Sequence, residues 1–105
     1  DWENEAPVKI FSKGELQWEF DMDSELAKGN YRFEFIQLSG EAYKAIDDTL
    51  IIDKTVYCKM ESLNDTTLNE FFSKSVTLKG RVLGYNNISK KLRLDKCFIL
   101  KSPGT

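Results

Sequence analysis

The side chains best suited to bind a ligand lie between residues 76 and 97, in the stretch VTLKGRVLGYNNISKKLRLDKC. Basic, aromatic and amide residues recur there along one strand parity and around a polar loop: Lys79, Arg81, Tyr85, Asn86, Asn87, Lys90, Lys91 and Arg93. Tyr57, on the outward face of an earlier strand pattern, adds a second aromatic ring. A single-stranded nucleic acid requires such a pattern, because cations follow its phosphates and aromatic rings stack on its bases.

The sequence contains no residue set that is typical of catalysis. It has no His, which removes the commonest general base and metal ligand. It has no phosphate-binding glycine loop and no nucleophile motif, and the adjacent Asp47 and Asp48 fit a solvated turn. Two cysteines are too few for a structural zinc site. We therefore expect a protein that is not an enzyme and that holds no metal or cofactor.

The charge is unevenly distributed along the 105 residues, although the net charge is only −2. Residues 1–72 carry 7 basic and 16 acidic residues, whereas residues 73–105 carry 8 basic residues and Asp95. Such asymmetry can mark a surface for an anionic partner. The alternative is that acidic and basic strands neutralise one another around a closed sheet.

The first regular element is predicted to be a helix over residues 13–27. Ser12 and Glu15 have the spacing of a capping box, and Leu16 and Phe20 start an apolar stripe. The sequence AKGN is expected to end this helix, with Gly29 or Asn30 in the left-handed conformation. A second apolar pair, Trp18 and Met22, is expected to form another packing edge.

Five strands follow the helix. The first is long, and a parity switch and Gly40 predict a bulge and a bend in it. TLII and TVYCKME form two short strands after turns at residues 47–48 and 53–54. A short helix near residues 66–72 is expected to bury Leu68, Phe71 and Phe72, and the hairpin of residues 76–99 closes the sheet with another bulge near residues 95–96.

This element order predicts a mainly β fold, the five-stranded Greek-key barrel called the OB-fold, with an N-terminal helix and a short helix between the third and fourth strands. We predict a single domain over residues 11–101. Residues 1–10 are expected to form an extended or disordered lead-in, and residues 102–105 a C-terminal tail.

Residues 11–99 resemble the bacterial tRNA-anticodon-domain-like (tRNA_anti-like) group of small OB-fold proteins. The resemblance rests on the segments FSKGELQWEFDMDSELAKGNY, QLSGEAYKAI, VYCKM and SVTLKGRVLGY with KLRLDKCFI. Their shared features are a glycine in each long strand, a cysteine in the third strand and LD-x-C near the end. The resemblance implies a fold used for nucleic-acid binding and, from many members, an exported protein or lipoprotein. AIDDTLIID and the Asn/Thr-rich approach to the second helix depart from the pattern, in loops that would shape a ligand site.

The third and fifth strands of an OB-fold barrel are neighbours, which would bring Cys58 and Cys97 together. We expect a disulfide that closes a loop of about 40 residues; two reduced core thiols are the alternative. A disulfide implies an oxidising compartment, so we expect an extracytoplasmic protein, periplasmic or surface-exposed and with a possible lipid anchor, and keep the cytoplasm as the alternative. No apolar run approaches the ~18 residues of a membrane span.

Two functions fit these observations. The favoured one is a non-catalytic, extracytoplasmic module that binds a protein or glycan through Tyr57, Tyr85, Asn86 and Asn87. The alternative is a single-stranded nucleic-acid-binding domain that uses the basic hairpin. The net acidic charge counts against the alternative, because nucleic-acid-binding domains are usually basic.

Overall fold

The structure is a computed structural model that describes residues 4–61 and 70–101, apart from the side chain of residue 101. Six strands and two helices follow one another as β1 (Ile10–Phe11), α1 (Glu15–Met22), α2 (Ser24–Tyr31), β2 (Phe35–Ile46), β3 (Thr49–Ile52), β4 (Val56–Met60), β5 (Ser75–Tyr85) and β6 (Leu92–Lys101). The sheet runs in the order β1-β2-β3-β4-β6-β5, and β5 also pairs with β2. Strands β2 to β6 therefore close a five-stranded barrel, which confirms the predicted OB-fold.

The two long strands close the barrel because each pairs with two neighbours. Residues 35–41 of β2 pair with β5, and residues 42–46 pair with β3 after a register shift between Ala42 and Lys44. The bulge in β2 lies further along than the parity switch between Phe35 and Ile36 predicts, since residues 35–41 pair with β5 in unbroken register. The bulge predicted near residues 95–96 is present: Lys96 has a φ of 51°, and the β5–β6 register shifts between the Arg81 and Lys79 pairs. Both irregularities let a long strand turn from one part of the barrel wall to the next.

The glycines in the two long strands are required by close packing. A Cβ atom at Gly40 would overlap the side chain of Ile52, and one at Gly80 would overlap the Sγ of Cys97. Both glycines point into the barrel, where the opposite strand leaves room only for a hydrogen atom.

The core fills the barrel with inward-facing residues of every strand and is closed at one end by the helices. The barrel contributes buried side chains that alternate along β4 but are consecutive at residues 50–52 of β3. β1 and the helices add Phe11, Leu16, Phe20, Ala27 and Tyr31. The Phe11 and Tyr31 rings meet edge to face, with centroids 5.2 Å apart. The elements before β2 therefore form the lid of the core.

The predicted single helix over residues 13–27 is wrong, because the chain forms two helices that meet at Asp23. The Asp23 carboxylate accepts the backbone N–H of Leu26 and so caps α2. Such a side-chain bond competes with a continuous helix, since it satisfies an N–H that the previous turn would otherwise bind. Gly29 and Asn30 lie within α2, and the left-handed residue after α2 is Phe33, with a φ of 67°.

The Ser12–Glu15 contact is present, since the Ser12 N–H donates to the Glu15 carboxylate. The second predicted packing edge is not: Trp18 and Met22 are 62% and 67% exposed. In the described structure the core therefore takes only the Leu16–Phe20 side of α1.

Two other predicted segments differ in detail. The segment before the barrel is extended from residue 8, where the Val8 N–H donates to the Phe35 carbonyl at 2.9 Å, so the proposed boundary at residues 10 and 11 falls inside β1. The second predicted helix, with Leu68, lies largely outside the described residues. Residues 70–73 form turns, Phe71 packs on the core, and Phe72 is exposed rather than buried. None of the described helices is long and apolar enough to cross a membrane.

Candidate ligand-binding face

One row of side chains crosses the outside of the barrel in register. Its members, one from each barrel strand, are Lys44, Ile51, Tyr57, Arg93 and Gly84. Paired residues on adjacent strands project to the same side of a sheet. The neighbours of this row along β3, β4 and β6 are buried in the core, so the row lies on the opposite side of the sheet. Within the row, Ile51 is itself only 3% exposed. We call this row, with Lys59 and Lys91, the ligand face, because it includes the second and third barrel strands through which OB-folds bind oligomers.

The ligand face is positively charged around one aromatic ring. The Lys91 Nζ lies 5.1 Å from the centre of the Tyr57 ring, and Arg93 is the cross-strand partner of Tyr57. Lys59 is exposed on the same side, opposite Thr49. The ion pairs found among residues 4–61 and 70–101 involve none of these cations. Their charge is therefore available to a ligand.

A small pocket lies at the β5 end of the ligand face. Three cations line it, Lys28, Arg32 and Arg93, together with Leu83, Gly84, Tyr85 and Asn86. The pocket volume is about 250 Å³. Lys28 belongs to the last turn of α2, and Arg32 is the residue that follows it. The end of α2 thus adds Lys28 and Arg32 to the pocket, where the β5–β6 hairpin alone would provide one cation, Arg93.

The loop at residues 86–91 is held in shape by its own polar groups. The Asn86 Oδ1 accepts the N–H groups of Ile88 and Ser89, both at 2.9 Å, and the Lys90 N–H donates to the Asn86 carbonyl. The Lys90 carbonyl accepts the side-chain amide of Gln17 from α1 at 2.8 Å. Asn86 is therefore occupied in fixing the loop, whereas Asn87 and Lys90 are exposed.

Tyr85 packs against α1 rather than on the ligand face. Its ring centroid lies 5.3 Å from that of Phe20, and its O–H donates to the Asp21 carboxylate. Burial, followed by this hydrogen bond, raises the pKa of Tyr85 to about 12. The ring borders the pocket but has one face covered, so it has less surface for stacking than Tyr57.

Lys79 and Arg81 lie on another part of the barrel wall and are already compensated. Lys79 is only 4% exposed, and its Nζ lies 5.7 Å and 5.9 Å from the ring centres of Phe35 and Phe98. Arg81 forms two hydrogen bonds with the Asp95 carboxylate, at 2.9 Å and 2.7 Å, which raise the pKa of the guanidinium. The nine predicted ligand contacts therefore form two groups. Lys79 and Arg81 are part of the barrel wall, and the other seven lie in or near the loop end of the β5–β6 hairpin.

Cys58 and Cys97 are buried neighbours and are unbonded in this structure. Their strands run side by side, with Met60 of β4 paired to Cys97 of β6. Burial raises the pKa of the Cys97 thiol well above its usual value, and a hydrogen bond with Cys58 raises it further. The disulfide remains a prediction, which this close placement permits. Elsewhere in the described chain, no three Cys, Asp or Glu side chains are grouped like metal ligands.

Several residues of this surface are absent from the sequence-based prediction. Lys44 becomes part of the row only because the bulge after Ala42 reverses the parity of β2. The outward position of Lys44 is therefore predictable only if that bulge is recognised in the sequence. Arg32 and Lys28 reach the pocket through the packing of α2 on β5, which no local pattern indicates.

Comparison with known proteins gives one structural match. No family model matches the chain, and no curated protein matches it. The chain is similar to the crystal structure of a candidate nucleic acid-binding lipoprotein from Klebsiella pneumoniae subsp. pneumoniae MGH 78578. The two share 14% sequence identity and superpose with a TM-score of 0.65, over 88% of this chain and 92% of that one. A similarity at this level of identity establishes a shared fold.

Proposed function

We propose that the chain is a non-catalytic binding module whose ligand face binds single-stranded nucleic acid. The observation that carries this proposal is that Tyr57 lies beside Lys91 and Arg93, with no carboxylate paired to either cation among the described residues. Cations beside a half-buried aromatic ring attract phosphates, and a base stacks on the exposed part of the ring. The similar Klebsiella protein is named for nucleic-acid binding, and the tRNA-anticodon-domain-like resemblance supports the same ligand class.

The dimensions of the ligand face suit a short segment. Strands in a sheet are ~4.8 Å apart, so four spacings separate Lys44 from Gly84 by about 19 Å. Such a length corresponds to the lower end of OB-fold site sizes, about four nucleotides. The net acidic charge of the chain is compatible with this proposal because the row itself contains no acidic residue.

The second candidate is an extracytoplasmic module that binds a protein or glycan. It is favoured by the buried Cys58–Cys97 neighbours, which suit an oxidising compartment, and by the lipoprotein name of the similar structure. Because the ligand face is basic, its partner would be an acidic glycan or an acidic protein segment. Mass spectrometry of protein alkylated without reduction tests the compartment argument, since two alkylated cysteines would contradict the disulfide.

Fluorescence anisotropy with labelled single-stranded DNA and RNA tests the first candidate. We expect binding at 50 mM salt that weakens steeply by 200 mM salt, as phosphate contacts require. Lys91→Gln should weaken binding and reduce the salt slope by about one. Tyr57→Ala should cost about 1–3 kcal/mol of binding free energy through lost stacking. Lys74→Gln, an exposed lysine before β5, is the matched control and should change little.

The absence of binding to any oligonucleotide at low salt would contradict the first candidate. The same assay with an acidic polysaccharide and with polyglutamate then tests the second one. If either polymer binds and the Lys91→Gln variant weakens that binding, the ligand face serves an acidic polymer other than nucleic acid.

A further inference from the structure

Three cations line the pocket beside the ligand face. Lys28, Arg32 and Arg93 come from α2, from the residue after α2 and from β6. Lys28 forms an exposed ion pair with Glu25 at 3.2 Å, but Arg32 and Arg93 take part in no ion pair of the described chain. Arg32 lies over the exposed ring of Phe33, 4.8 Å from its centre. Two guanidinium groups therefore face a concave space without a carboxylate partner.

The pocket adjoins the ligand face and lies at its β5 end. Arg93 belongs to both, and Gly84 is the last member of the row and a wall of the pocket. Beyond Gly84 the chain after α2 lies against β5: Arg32 forms a bridge with Val82, and the Phe33 N–H donates to the Val82 carbonyl at 2.7 Å. A strand that crosses the ligand face from Lys44 therefore meets α2 and stops there.

We propose that this pocket is a phosphate-monoester site, which holds the terminal phosphate of an oligonucleotide that lies on the ligand face. The source of the phosphate rests on the proposed function; the pocket itself does not. A terminal phosphate carries about −1.5 to −2 charges at neutral pH, because its second pKa is near 6, whereas an internal phosphodiester carries one. The three cations of the pocket match the charge of a terminal phosphate better than that of an internal phosphodiester. A volume of about 250 Å³ is below the usual range for whole small molecules and suits a phosphate with part of its sugar.

The walls also provide suitable donors. Guanidinium groups bind phosphate oxygens through two parallel hydrogen bonds, so Arg32 and Arg93, which both line the pocket, are suitable donors to a phosphate there. Gly84 leaves the floor open, since a Cβ atom built there meets nothing within 4 Å. A larger side chain at this position would therefore fill the pocket without a clash in the barrel.

The test compares three labelled pentanucleotides of one sequence: one with a 5′-phosphate, one with a 3′-phosphate and one with neither. We expect one phosphorylated form to bind about tenfold more tightly than the form without phosphate, as an added charged hydrogen bond implies. Arg32→Gln should remove this preference and leave the affinity for the unphosphorylated form nearly unchanged, because Arg32 lines the pocket and is not part of the ligand face. Lys91→Gln, on the ligand face outside the pocket, should weaken all three forms by the same factor. Thermal unfolding checks that each variant folds.

The outcomes separate the two proposals. Equal binding of all three pentanucleotides would overturn the pocket assignment and leave the proposed function intact. If none of them binds, the proposed function fails, and a titration with a nucleoside monophosphate decides about the pocket. Chemical-shift changes at the side-chain Nε–H groups of Arg32 and Arg93 would retain it as a site for a free phosphate monoester. No change at these groups would overturn it.

Discussion

Two ends of the β5–β6 hairpin, the loop end and the opposite end that begins in the middle of β5, contain similar residues but differ in what surrounds them. Toward the middle of β5, Lys79 lies near two phenylalanine rings and Arg81 is paired with Asp95. At the loop end, Lys91 and Arg93 lie beside Tyr57 and form no ion pair with a described residue. The difference shows that alternation along one strand does not reveal whether a cation is free to bind. The residues on neighbouring strands decide it.

The two glycines of β5 give the largest expected difference between these ends. Gly80→Ala would place a methyl group against the Cys97 Sγ, whereas Gly84→Ala would place it in open space. Gly80→Ala should lower the free energy of unfolding by about 1–3 kcal/mol through overpacking. Gly84→Ala should change it by less than about 0.5 kcal/mol. Urea unfolding of the two variants measures both values. Equal losses would mean that the loop end is packed as tightly as the middle of the hairpin.

A smaller effect is expected from the charges, with opposite consequences at the two ends. Asp95→Asn removes the bidentate partner of Arg81 in a pair whose side chains are 21% and 31% exposed. We expect a loss of about 1–2 kcal/mol in unfolding free energy and unchanged oligonucleotide binding. Arg93→Gln should leave stability unchanged and weaken binding about three- to tenfold.

Thermal unfolding and anisotropy on the same samples distinguish these effects. The comparison between the two ends would break if Asp95→Asn impaired binding as strongly as Arg93→Gln does. It would also break if Arg93→Gln lowered the unfolding free energy by as much as Asp95→Asn. Either result would mean that both ends serve the same role.

The fold was predictable because its signals are local. Alternating apolar residues, turns at residues 47–48 and 53–54 and the inward glycines define the barrel strands and their bends. The break between α1 and α2 was not predicted, since the apolar spacing continues from Phe20 to Ala27 across Asp23. There a single side-chain cap outweighs a continuous stripe.

The ligand face was predictable only in part, because it depends on register between distant strands. Tyr57, Lys91 and Arg93 were expected and lie together. Lys44 joins them through a bulge, and Arg32 joins through the packing of α2 on β5. Neither relationship leaves a pattern in the local sequence. The same holds for Asp95 and the phenylalanine rings that compensate Arg81 and Lys79.

Tyr85 provides the smallest effect, since it lies at the loop end of β5, opposite Leu92, but packs on Phe20 of α1. Its pKa of about 12 exceeds the ordinary value of 10, first through burial and then through the hydrogen bond to Asp21. The folded protein thus holds the Tyr85 proton more tightly than the unfolded chain does. The stabilisation is complete below pH 10 and is lost as the pH rises from 10 to about 12.

Tyr85→Phe should lower the unfolding free energy by about 0.5–1 kcal/mol at neutral pH, because it removes one hydrogen bond. The difference between wild type and variant should shrink between pH 10 and 12, and chemical denaturation at each pH measures it. Tyr31, whose pKa is also raised by burial, is present in both proteins and cancels. Oligonucleotide binding at pH 7 should be unchanged, in contrast to Tyr57→Ala. If Tyr85→Phe weakened binding, the Tyr85 hydroxyl that contacts Asp21 would belong to the ligand site. The binding region would then extend to Phe20, on which the Tyr85 ring packs.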